Sequence, residues 1–348
     1  MGIEISIQKK LGAFQLDVAF SQDRGVLALL GGSGCGKSMT LRCIAGIEKP
    51  DKGRIVLDGV TVFDSERHID LPPQQRQVGL LFQSYALFPS MTVQENILCG
   101  IRKKLSKAQR QALVETYIEK FHLEGLEQHI PSQLSGGQKQ RCALARMLIG
   151  APKVIMLDEP FSALDSYLRW ELEQELASTL REYAGTVLFV SHDRDEVYRL
   201  SDRIAVYQNG HIDAIDEKEA LFTRPQTCTA AVLTGCKNVS PAQYGPDFVT
   251  VPSWGLRLPV NSGKRPKGAC YLGLRSQCLR PGTVPSPRCF PYEIQQEIYG
   301  IQSDILMIRL DGAAEPLHWE LSREARSAIE GAPRLVEIPE DAVLYLRA

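Results

Sequence analysis

At 348 residues the chain is too long for one ordinary hydrophobic core, and we expect two domains. Its formal net charge of -1 gives no reason to expect a nucleic-acid partner. No run approaches the roughly 18 to 20 consecutive apolar residues of a membrane span, and the first residues lack the layout of a secretion signal. If the protein serves a membrane, we expect it to do so from outside the bilayer.

The nine cysteines are scattered along the chain. None of them forms a Cys-x-x-Cys pair, and several, such as Cys142, lie in apolar sequence that favours a helix or a strand. This pattern predicts reduced thiols rather than a disulfide framework or a zinc site.

Residues 1–225 alternate short apolar runs with longer helix-forming stretches, which is typical of a parallel sheet covered by helices. Three continuous apolar runs predict strands that are buried on both faces. These runs are Gly25–Leu30, Val154–Leu157 and Thr186–Val190. A glycine-rich loop follows the first run, Asp158-Glu159 the second and Ser191-His192 the third. Because open α/β sheets bind ligands at the carboxyl edge, these polar residues are expected to meet there.

A helical insert is expected within this first domain, over residues 92–150. Lys103–Phe121 is polar with an apolar stripe, and Gln138–Ile149 is rich in strong helix formers. Beyond the first domain, residues 236–348 are rich in proline and glycine and carry short alternating segments. We therefore predict an α/β domain over residues 1–225, followed by a small β-rich, barrel-like domain.

The first glycine-rich loop fits the phosphate-binding pattern G-x-x-x-x-G-K-[ST]. Its glycines let consecutive backbone N–H groups surround phosphate oxygens, and the helix that follows adds its positive end. Lys37 is expected to reach the β- and γ-phosphates of a nucleotide, while the Ser38 hydroxyl ligates Mg²⁺. The predicted nucleotide-binding residues here are Gly31, Gly32, Ser33, Gly34, Cys35, Gly36, Lys37, Ser38 and Met39.

Two carboxylates end the second apolar run. Asp158 is placed to hold Mg²⁺ through water, and Glu159 is placed to orient an attacking water molecule. A pair of acids at a strand end is common, but downstream of a phosphate loop it indicates nucleotide hydrolysis.

A second glycine-rich segment, Leu134–Gln138, precedes another predicted helix. Together with that helix it forms a second N-terminus that suits an anion. A turn with a serine cap is the alternative interpretation of this segment by itself.

The order of these motifs resembles that of the ATP-binding-cassette ATPases. Leu134–Arg141 resembles the signature motif of that family, and Gln83 resembles its Q-loop. Ser162–Asp165 resembles the D-loop, and His192 the switch histidine. The resemblance covers residues 3–225 and implies a P-loop NTPase cassette with a helical subdomain. Generic nucleotide-binding folds share the phosphate loop but not the signature motif.

This resemblance implies ATP and Mg²⁺ as cofactors and a head-to-tail homodimer. Each ATP would lie between the phosphate loop of one subunit and the signature motif of the other, which gives two equivalent composite sites. By the same analogy Glu159 is the general base, His192 bridges it to the γ-phosphate, and Gln83 contacts the water or Mg²⁺ region. The implied catalytic residues are Glu159, His192 and Gln83; the metal ligands are Ser38, Gln83 and Asp158; further nucleotide contacts are Ser135, Gly136, Gly137 and Gln138.

The transport partners of this family are transmembrane permease subunits, which place short coupling helices against the region after Gln83. An apolar cluster lies there, formed by Tyr85, Leu87, Phe88, Pro89 and Met91. Contact with a permease and packing within the helical insert are equally good interpretations of this cluster. The resemblance also implies a peripheral position on the cytoplasmic face of the cell membrane and an indirect association with a substrate-binding protein.

Two positions depart from the family pattern. Phe14 is the nearest aromatic residue to the position that stacks on adenine, and a core role is an equal alternative. Met39 stands where the family favours threonine, and we expect phosphate binding to be undisturbed because the backbone and Ser38 carry it.

The segments Leu71–Val78 and Leu87–Val93 resemble the importers of sugars, iron, sulfate and molybdate. Only 30 residues precede Gly31 and the second domain is short, as in the molybdate type. The hypothesis from the sequence is therefore an ATPase for molybdate import, with sulfate or tungstate next and iron or a sugar behind them.

Within the second domain, Gly273–Arg275 resembles a recurring start of the β-rich domain in the same subgroup. Ser276-Gln277 replaces the usual Pro-Glu that follows. The stretches around Ser276 and Ser303 are the candidate contacts for an oxyanion there.

Two alternatives lie outside transport: a soluble mechanical ATPase of DNA repair or translation, and a non-transporting oxyanion sensor. Repair ATPases of this superfamily insert a long coiled coil, but Lys37 to Ser135 spans 98 positions (135 − 37) without sustained heptads. Translation factors carry two cassettes, whereas one is present here. A non-transporting oxyanion sensor is the last alternative, and it would not need Glu159 and His192 in place.

Overall fold

Alternating side chains shape the start of the chain, because Ile3, Ile5 and Ile7 are buried while the residues between them are exposed. This period of two belongs to a strand with one covered face. The computed structural model describes residues 2–162, 166–259, 267–329 and 333–348. They form two units, Met1–Lys218 and Glu219–Ala348, each with its own hydrophobic core.

The strands of the first unit are β1 (Ile3–Leu11), β2 (Phe14–Gln22), β3 (Gly25–Gly31), β4 (Lys52–Leu57), β5 (Val60–Asp64), β6 (Ile69–Asp70), β7 (Val78–Leu81), β8 (Val154–Asp158), β9 (Thr186–Ser191), β10 (Arg203–Gln208) and β11 (His211–Glu217). Its helices are α1 (Lys37–Ala45), α2 (Val93–Leu98), α3 (Lys107–Lys120), α4 (Gly136–Leu148), α5 (Ser166–Glu182) and α6 (Arg194–Leu200), with short 3₁₀ helices at Pro73–Gln75 and Pro131–Gln133.

The central sheet has the strand order β11-β10-β3-β9-β8-β7. All neighbours run parallel except β10 and β11. Every residue of β8 and β9 is buried, which explains why their sequences read as continuous apolar runs. In register, Leu30 pairs with Ser191 and Asp158 pairs with Val190, so β3, β8 and β9 end at one edge.

An antiparallel sheet with the order β2-β1-β4-β5-β6 forms the second layer of this unit. Its inward residues share a core cluster with α1 and with the central sheet. The cluster contains Ile5 and Val18 from the antiparallel sheet, Leu41 from α1, and Met156 and Val190 from the central sheet. Helix α1 is therefore held by apolar contacts directly beyond the end of β3.

The segment between β7 and β8 carries α2, α3 and α4. A capping box opens each helix, formed by Thr92 with Glu95, Ser106 with Gln109, and Ser135 with Gln138. Helix α3 begins at Lys107 rather than at the expected position 103, because Ser106 accepts a hydrogen bond from the Gln109 amide and fixes the start. No helix among the described residues is long and apolar enough to span a membrane.

The second unit is β-rich, as the sequence predicted. Its strands are β12 (Asn238–Pro241), β13 (Gln243–Tyr244), β14 (Phe248–Val251), β15 (Leu256–Pro259), β16 (Tyr271–Leu274), β17 (Arg280–Pro281), β18 (Cys289–Ile298), β19 (Ser303–Leu310), β20 (Leu317–Ser322), β21 (Leu335–Glu337) and β22 (Val343–Leu346). Helix α7 (Lys218–Thr223) leads into it, and α8 (Cys228–Leu233) and α9 (Arg323–Ala328) follow, with 3₁₀ helices at Pro252–Trp254, Ser276–Cys278 and Glu340–Ala342.

These strands form sheets with the orders β12-β16-β22, β13-β14-β15 and β17-β21-β18-β19-β20. They share one core cluster around Trp319, whose ring meets Tyr292 edge to face. The Trp319 Nε1–H donates to the Leu279 carbonyl at 3.0 Å, so the one polar atom of this buried ring is satisfied. All nine cysteines of the chain carry free thiols.

Candidate functional site

The phosphate loop lies between the end of β3 and the start of α1. Gly34 and Gly36 have φ values of 77° and 108°, a region in which a side chain is strained. A Cβ atom at Gly36 would also lie 2.7 Å from the Leu16 side chain, so this position has both a conformational and a steric need for glycine. The sequence pattern therefore reflects the backbone path of this loop.

The Lys37 side chain is buried and crosses the loop. Its ammonium donates to the carbonyls of Gly31 and Gly32, both at 2.8 Å, and lies 3.5 Å from the Cys35 Sγ. Lysine carries three N–H donors, and this geometry holds them beside the loop where a phosphate is expected. Met39, two residues further along the first turn of α1, is half-buried and packs against the core.

Ser38 and Asp158 meet at the carboxyl edge of the central sheet. The Ser38 hydroxyl donates to the Asp158 carboxylate at 2.8 Å. Burial raises the pKa of Asp158, and the hydrogen bond from Ser38 opposes that change. A hydroxyl and a carboxylate held side by side supply the oxygen donors that Mg²⁺ prefers, so these two residues fit the expected ion.

Glu159 is contacted by His192, which the resemblance placed beside it, and also by Gln83, which the resemblance placed at the water or Mg²⁺ region. The Gln83 amide nitrogen lies 3.5 Å from one carboxylate oxygen of Glu159, and the His192 Nδ1 lies 3.3 Å from the other. Glu159 has a φ of 48°, and its amide donates to the Val190 carbonyl of the neighbouring strand at 3.0 Å. The backbone thus turns sharply after β8 and holds this carboxylate over the sheet edge.

The loop that carries His192 is fixed by Ser191 together with three residues for which the sequence predicts no role, Arg169, Asp193 and Glu196. The Ser191 hydroxyl donates to the buried Glu196 carboxylate at 2.6 Å, and the Asp193 side chain caps α6. Burial raises the pKa of Glu196, and the Ser191 hydrogen bond acts against it. The Arg169 guanidinium of α5 lies 3.6 Å from the Asp193 carboxylate and 3.6 Å from the Glu196 carboxylate. No local pattern marks Arg169 or Glu196, since their importance arises only from contacts across the fold.

The expected D-loop is described only at its first residue. Ser162 donates through its amide and its hydroxyl to the Glu159 carbonyl, at 3.3 and 3.0 Å. Its other residues, at positions 163–165, lie outside the described part of the chain.

The signature segment lies at the start of α4. Ser135 is the N-cap and accepts from the Gln138 amide at 3.3 Å, while the Gln138 side chain accepts from the Ser135 amide at 2.9 Å. Ser135 and Gly136 are exposed, and Gly137 is buried. Within the described residues, no hydrogen bond or ion pair joins residues 135–138 to residues 31–39. The two predicted halves of the nucleotide site are thus not brought together by these contacts of one chain.

The apolar cluster after Gln83 divides between interior and surface. Tyr85 is buried, whereas Phe88 is 46% exposed. The adenine candidate, Phe14, packs against the core, and its ring edge would lie 3.2 Å from a Cβ atom at Gly36. Phe14 therefore lies against the core and beside the phosphate loop, and a contact with adenine stays a prediction.

The two candidate oxyanion positions of the second unit converge on a carboxylate. Ser276 and Ser303 donate to Glu320 at 3.3 and 2.9 Å, and the Lys237 ammonium lies 3.1 Å from the same group. Burial acts to raise the pKa of Glu320, but the hydrogen bonds from Lys237 and Ser303 prevail and lower it. An anion at these serines would meet an ionised carboxylate, so the structure does not support them as oxyanion contacts.

Comparison with known proteins shows the family to which this chain belongs. The ABC transporter family model matches residues 16–162. The chain is 43% identical over 261 residues to a spermidine/putrescine import ATP-binding protein of Methylococcus capsulatus. This alignment covers 74% of this chain and 66% of that protein. It is 42% identical over 327 residues to a sulfate/thiosulfate import ATP-binding protein of Mannheimia succiniciproducens, covering 87% and 89%. Other relatives are named for molybdenum and for Fe(3+) import.

Among solved structures, the chain resembles a dimeric ATP-binding cassette in a post-hydrolysis state bound to ADP and Pi. The TM-score is 0.53 and the identity 28%, over 63% of this chain and 99% of that chain. A phosphate loop and paired carboxylates at the carboxyl edge of a parallel sheet define a P-loop ATPase. With these relatives, the chain belongs to the ABC transporter family, among its import ATP-binding proteins, which confirms the family, the fold class and the ATPase activity expected from the sequence.

Proposed function

We propose that this chain powers import as the peripheral ATPase subunit of a membrane permease, with ATP and Mg²⁺ bound in two composite sites of a homodimer. The observation that carries the assignment of roles is the arrangement around Glu159, where Gln83 and His192 each contact one carboxylate oxygen. A general base needs a free carboxylate held in a fixed orientation, and this pair of contacts provides the orientation.

Each residue then has one task in hydrolysis. The backbone N–H groups of the phosphate loop and the Lys37 ammonium hold the β- and γ-phosphates, and Ser38 and Asp158 hold Mg²⁺, which neutralises phosphate charge when bound. Glu159 accepts a proton from a water molecule while the oxygen of that water attacks the γ-phosphorus. The bond between the γ-phosphorus and the oxygen that bridges it to the β-phosphate breaks, and ADP leaves. His192 and Gln83 keep the carboxylate in line with that water.

We propose the dimer because, within the described residues, no hydrogen bond or ion pair joins the phosphate loop to the signature segment of the same chain. Ser135 and Gly136 present an exposed helix N-terminus, which suits the γ-phosphate of an ATP held by another subunit. The dimeric state of the similar solved cassette supports the same assembly. Twofold symmetry then gives two equivalent sites.

Mixing two inactive variants tests the composite site. In a heterodimer of Lys37→Ala with Ser135→Arg, both lesions fall on one site and the other stays intact. Mixed dimers are half of the random pairs and keep one of two sites, so we expect recovery of about a quarter of wild-type ATPase activity. The matched control mixes the double variant with Lys37→Ala, where every site carries a lesion and no activity should return. Full hydrolysis by a strictly monomeric protein in sedimentation under turnover would refute the scheme.

We infer a tetrahedral oxyanion as the transported substrate. The sequence alone placed molybdate first, but the alignment with the sulfate/thiosulfate relative extends over 87% of this chain, against 64% for the molybdenum relative. This extent favours sulfate or thiosulfate over molybdate. The spermidine/putrescine relative that aligns over 82% of the chain is 37% identical, compared with 42% for the sulfate/thiosulfate one.

Uptake of labelled substrates by a deletion strain tests this inference. Loss of sulfate and thiosulfate uptake, restored by the wild-type gene and not by Glu159→Gln, is the expected result. Loss of molybdate uptake alone would return the assignment to the first hypothesis. A defect limited to polyamine, iron or sugar uptake would reject the oxyanion class and leave the ATPase mechanism untouched.

A further inference from the structure

The segment that joins Gln83 to helix α2 contains a strained backbone. We call residues 83–92 the Gln83 loop. Its consecutive residues Tyr85 and Ala86 have φ values of 60° and 46°, the left-handed region that non-glycine residues rarely adopt. Such a conformation persists only when its surroundings hold it in place. The contacts that hold these two residues therefore control the path of the loop.

One side chain contacts both strained residues. The Arg146 guanidinium donates to the Tyr85 carbonyl at 2.9 Å and to the Ala86 carbonyl at 2.8 Å. Its central carbon also lies 5.3 Å from the centre of the Phe88 ring, within the range of a cation–π contact. Burial lowers the pKa of Arg146. A planar guanidinium can serve two carbonyls and a ring at once because its donors are fixed in a fork.

A second side chain completes the support. Asn96 of α2 is fully buried, and its amide oxygen accepts from the Phe88 amide at 2.9 Å. Its amide nitrogen donates to the carbonyls of Phe88, Met91 and Thr92 at 3.2, 3.1 and 3.0 Å. The same amide oxygen lies 3.4 Å from the Arg146 guanidinium, so the two supports are connected.

The position of Arg146 in α4 connects its contacts with the Gln83 loop to the signature segment. Arg146 lies in the last turn of α4, and the signature residue Ser135 caps the first turn of the same helix. The helix spans 13 residues, or about 20 Å at 1.5 Å per residue. One rigid element thus carries the signature motif at one end and the hold on the Gln83 loop at the other.

We propose that Arg146 is a positioning residue that joins the Gln83 loop to the signature helix, so that Gln83 meets Glu159 only when α4 is in place. This inference rests on the proposed function, because it assigns a task through Gln83 in the same ATPase site. It predicts that Arg146 acts on turnover and not on the binding of ATP, since no hydrogen bond, ion pair or ring contact among the described residues joins Arg146 to the phosphate loop.

A double-mutant cycle with the full-length protein separates positioning from mere stability. Arg146→Met keeps an unbranched apolar stem and removes the guanidinium. In the wild-type background we expect kcat to fall about tenfold and the KM for ATP to stay within about twofold, because a displaced catalytic group costs rate rather than affinity. In a Gln83→Ala background the same change should alter kcat by less than about twofold, since the two residues act through one contact.

Two controls keep the cycle decisive. Arg110→Met removes an exposed arginine of α3 and should leave kcat and KM unchanged. Arg146→Lys retains the charge but lacks the fork, so it should give an intermediate kcat; it also replaces Arg146→Met if that variant does not fold. Hydrogen exchange of the amides at 86–91 should be faster in either Arg146 variant.

The outcomes are distinct. Equal losses of kcat in both backgrounds would overturn the proposal, as would a wild-type kcat in Arg146→Lys. A wild-type protein that hydrolyses no ATP would instead refute the proposed function itself. A loss confined to the Gln83-containing background, with KM preserved, supports the positioning role.

Discussion

Polar side chains are arranged differently in the two units of this chain. In the first unit, Asp158 ends a buried parallel strand and accepts a hydrogen bond from Ser38 of α1, and Glu159 follows directly. In the second unit, Ser276 and Ser303 close onto Glu320 within an antiparallel arrangement. The polar groups of the first unit lie at the carboxyl edge of parallel strands, where open α/β sheets bind ligands, whereas the two serines of the second unit donate to a carboxylate that the Lys237 ammonium also contacts. The contrast assigns chemistry to the first unit.

The largest expected effect tests the carboxylate that this contrast makes most important. Glu159→Gln keeps shape and hydrogen bonding but removes the base, so kcat should fall by about 10²- to 10⁴-fold while ATP still binds. The stalled protein should accumulate as an ATP-bound dimer in sedimentation. Glu119→Gln, on the exposed face of α3, is the matched control and should be silent. Turnover within a few-fold of wild type would remove Glu159 from the mechanism.

A second substitution, at Asp158 on the same sheet edge, is expected to lower ATPase activity and to raise stability. Burial raises the pKa of Asp158 above its usual 3.8, so the folded protein holds a costly charge at neutral pH. Asp158→Asn removes a proposed Mg²⁺ ligand and should lower Mg²⁺-dependent hydrolysis by more than about 10²-fold. Because it also removes the costly charge, it should raise the melting temperature at pH 7.

The sign of this stability change follows from proton binding. An acid with a raised pKa in the folded state is destabilising above that pKa, and the penalty shrinks as the pH falls through the folded pKa and is gone below 3.8, where both states are protonated. The melting-temperature gain of Asp158→Asn should thus shrink on acidification from pH 7. The exposed Asp247→Asn serves as the control. An Asp158→Asn protein that melts below wild type would show that the Ser38 hydrogen bond outweighs burial.

The sequence could predict the site where local pattern and topology coincide. Buried parallel strands must end at a common edge, so Asp158, Glu159 and His192 were placed together from their positions alone. The glycines of the phosphate loop were equally predictable, because Gly36 has both a positive φ and no room for a side chain.

What could not be predicted depends on side chains that are distant in sequence. Arg146 donates to the carbonyls of Tyr85 and Ala86, which are 61 and 60 positions away in the sequence. The local sequence does not predict that these two residues adopt left-handed backbone conformations. Ser276 meets Glu320 across 44 positions, so its hydroxyl looked free in the sequence. Such pairings follow from tertiary packing, which neither helical nor strand periodicity encodes.

The smallest expected effect tests the second unit. Glu320→Gln removes the charge that Lys237, Ser276 and Ser303 share, and we expect a loss of about 1 kcal/mol in the free energy of unfolding because the ion pair is partly exposed. The pKa of Glu320 is lowered below its usual 4.5, so its stabilisation is present above that pH and is lost as the pH falls through the folded value.

Denaturant unfolding at pH 7 and below pH 4.5 should therefore show a difference between wild type and Glu320→Gln that narrows in acid. The ATPase rate of the variant should stay within about twofold of wild type, because the charge lies in the unit without a catalytic edge. Glu315→Gln, at an exposed position near the start of β20, supplies the control for charge alone. A tenfold fall in ATPase rate with the fold intact would mean that the second unit takes part in turnover, and the division of tasks between the two units would fail.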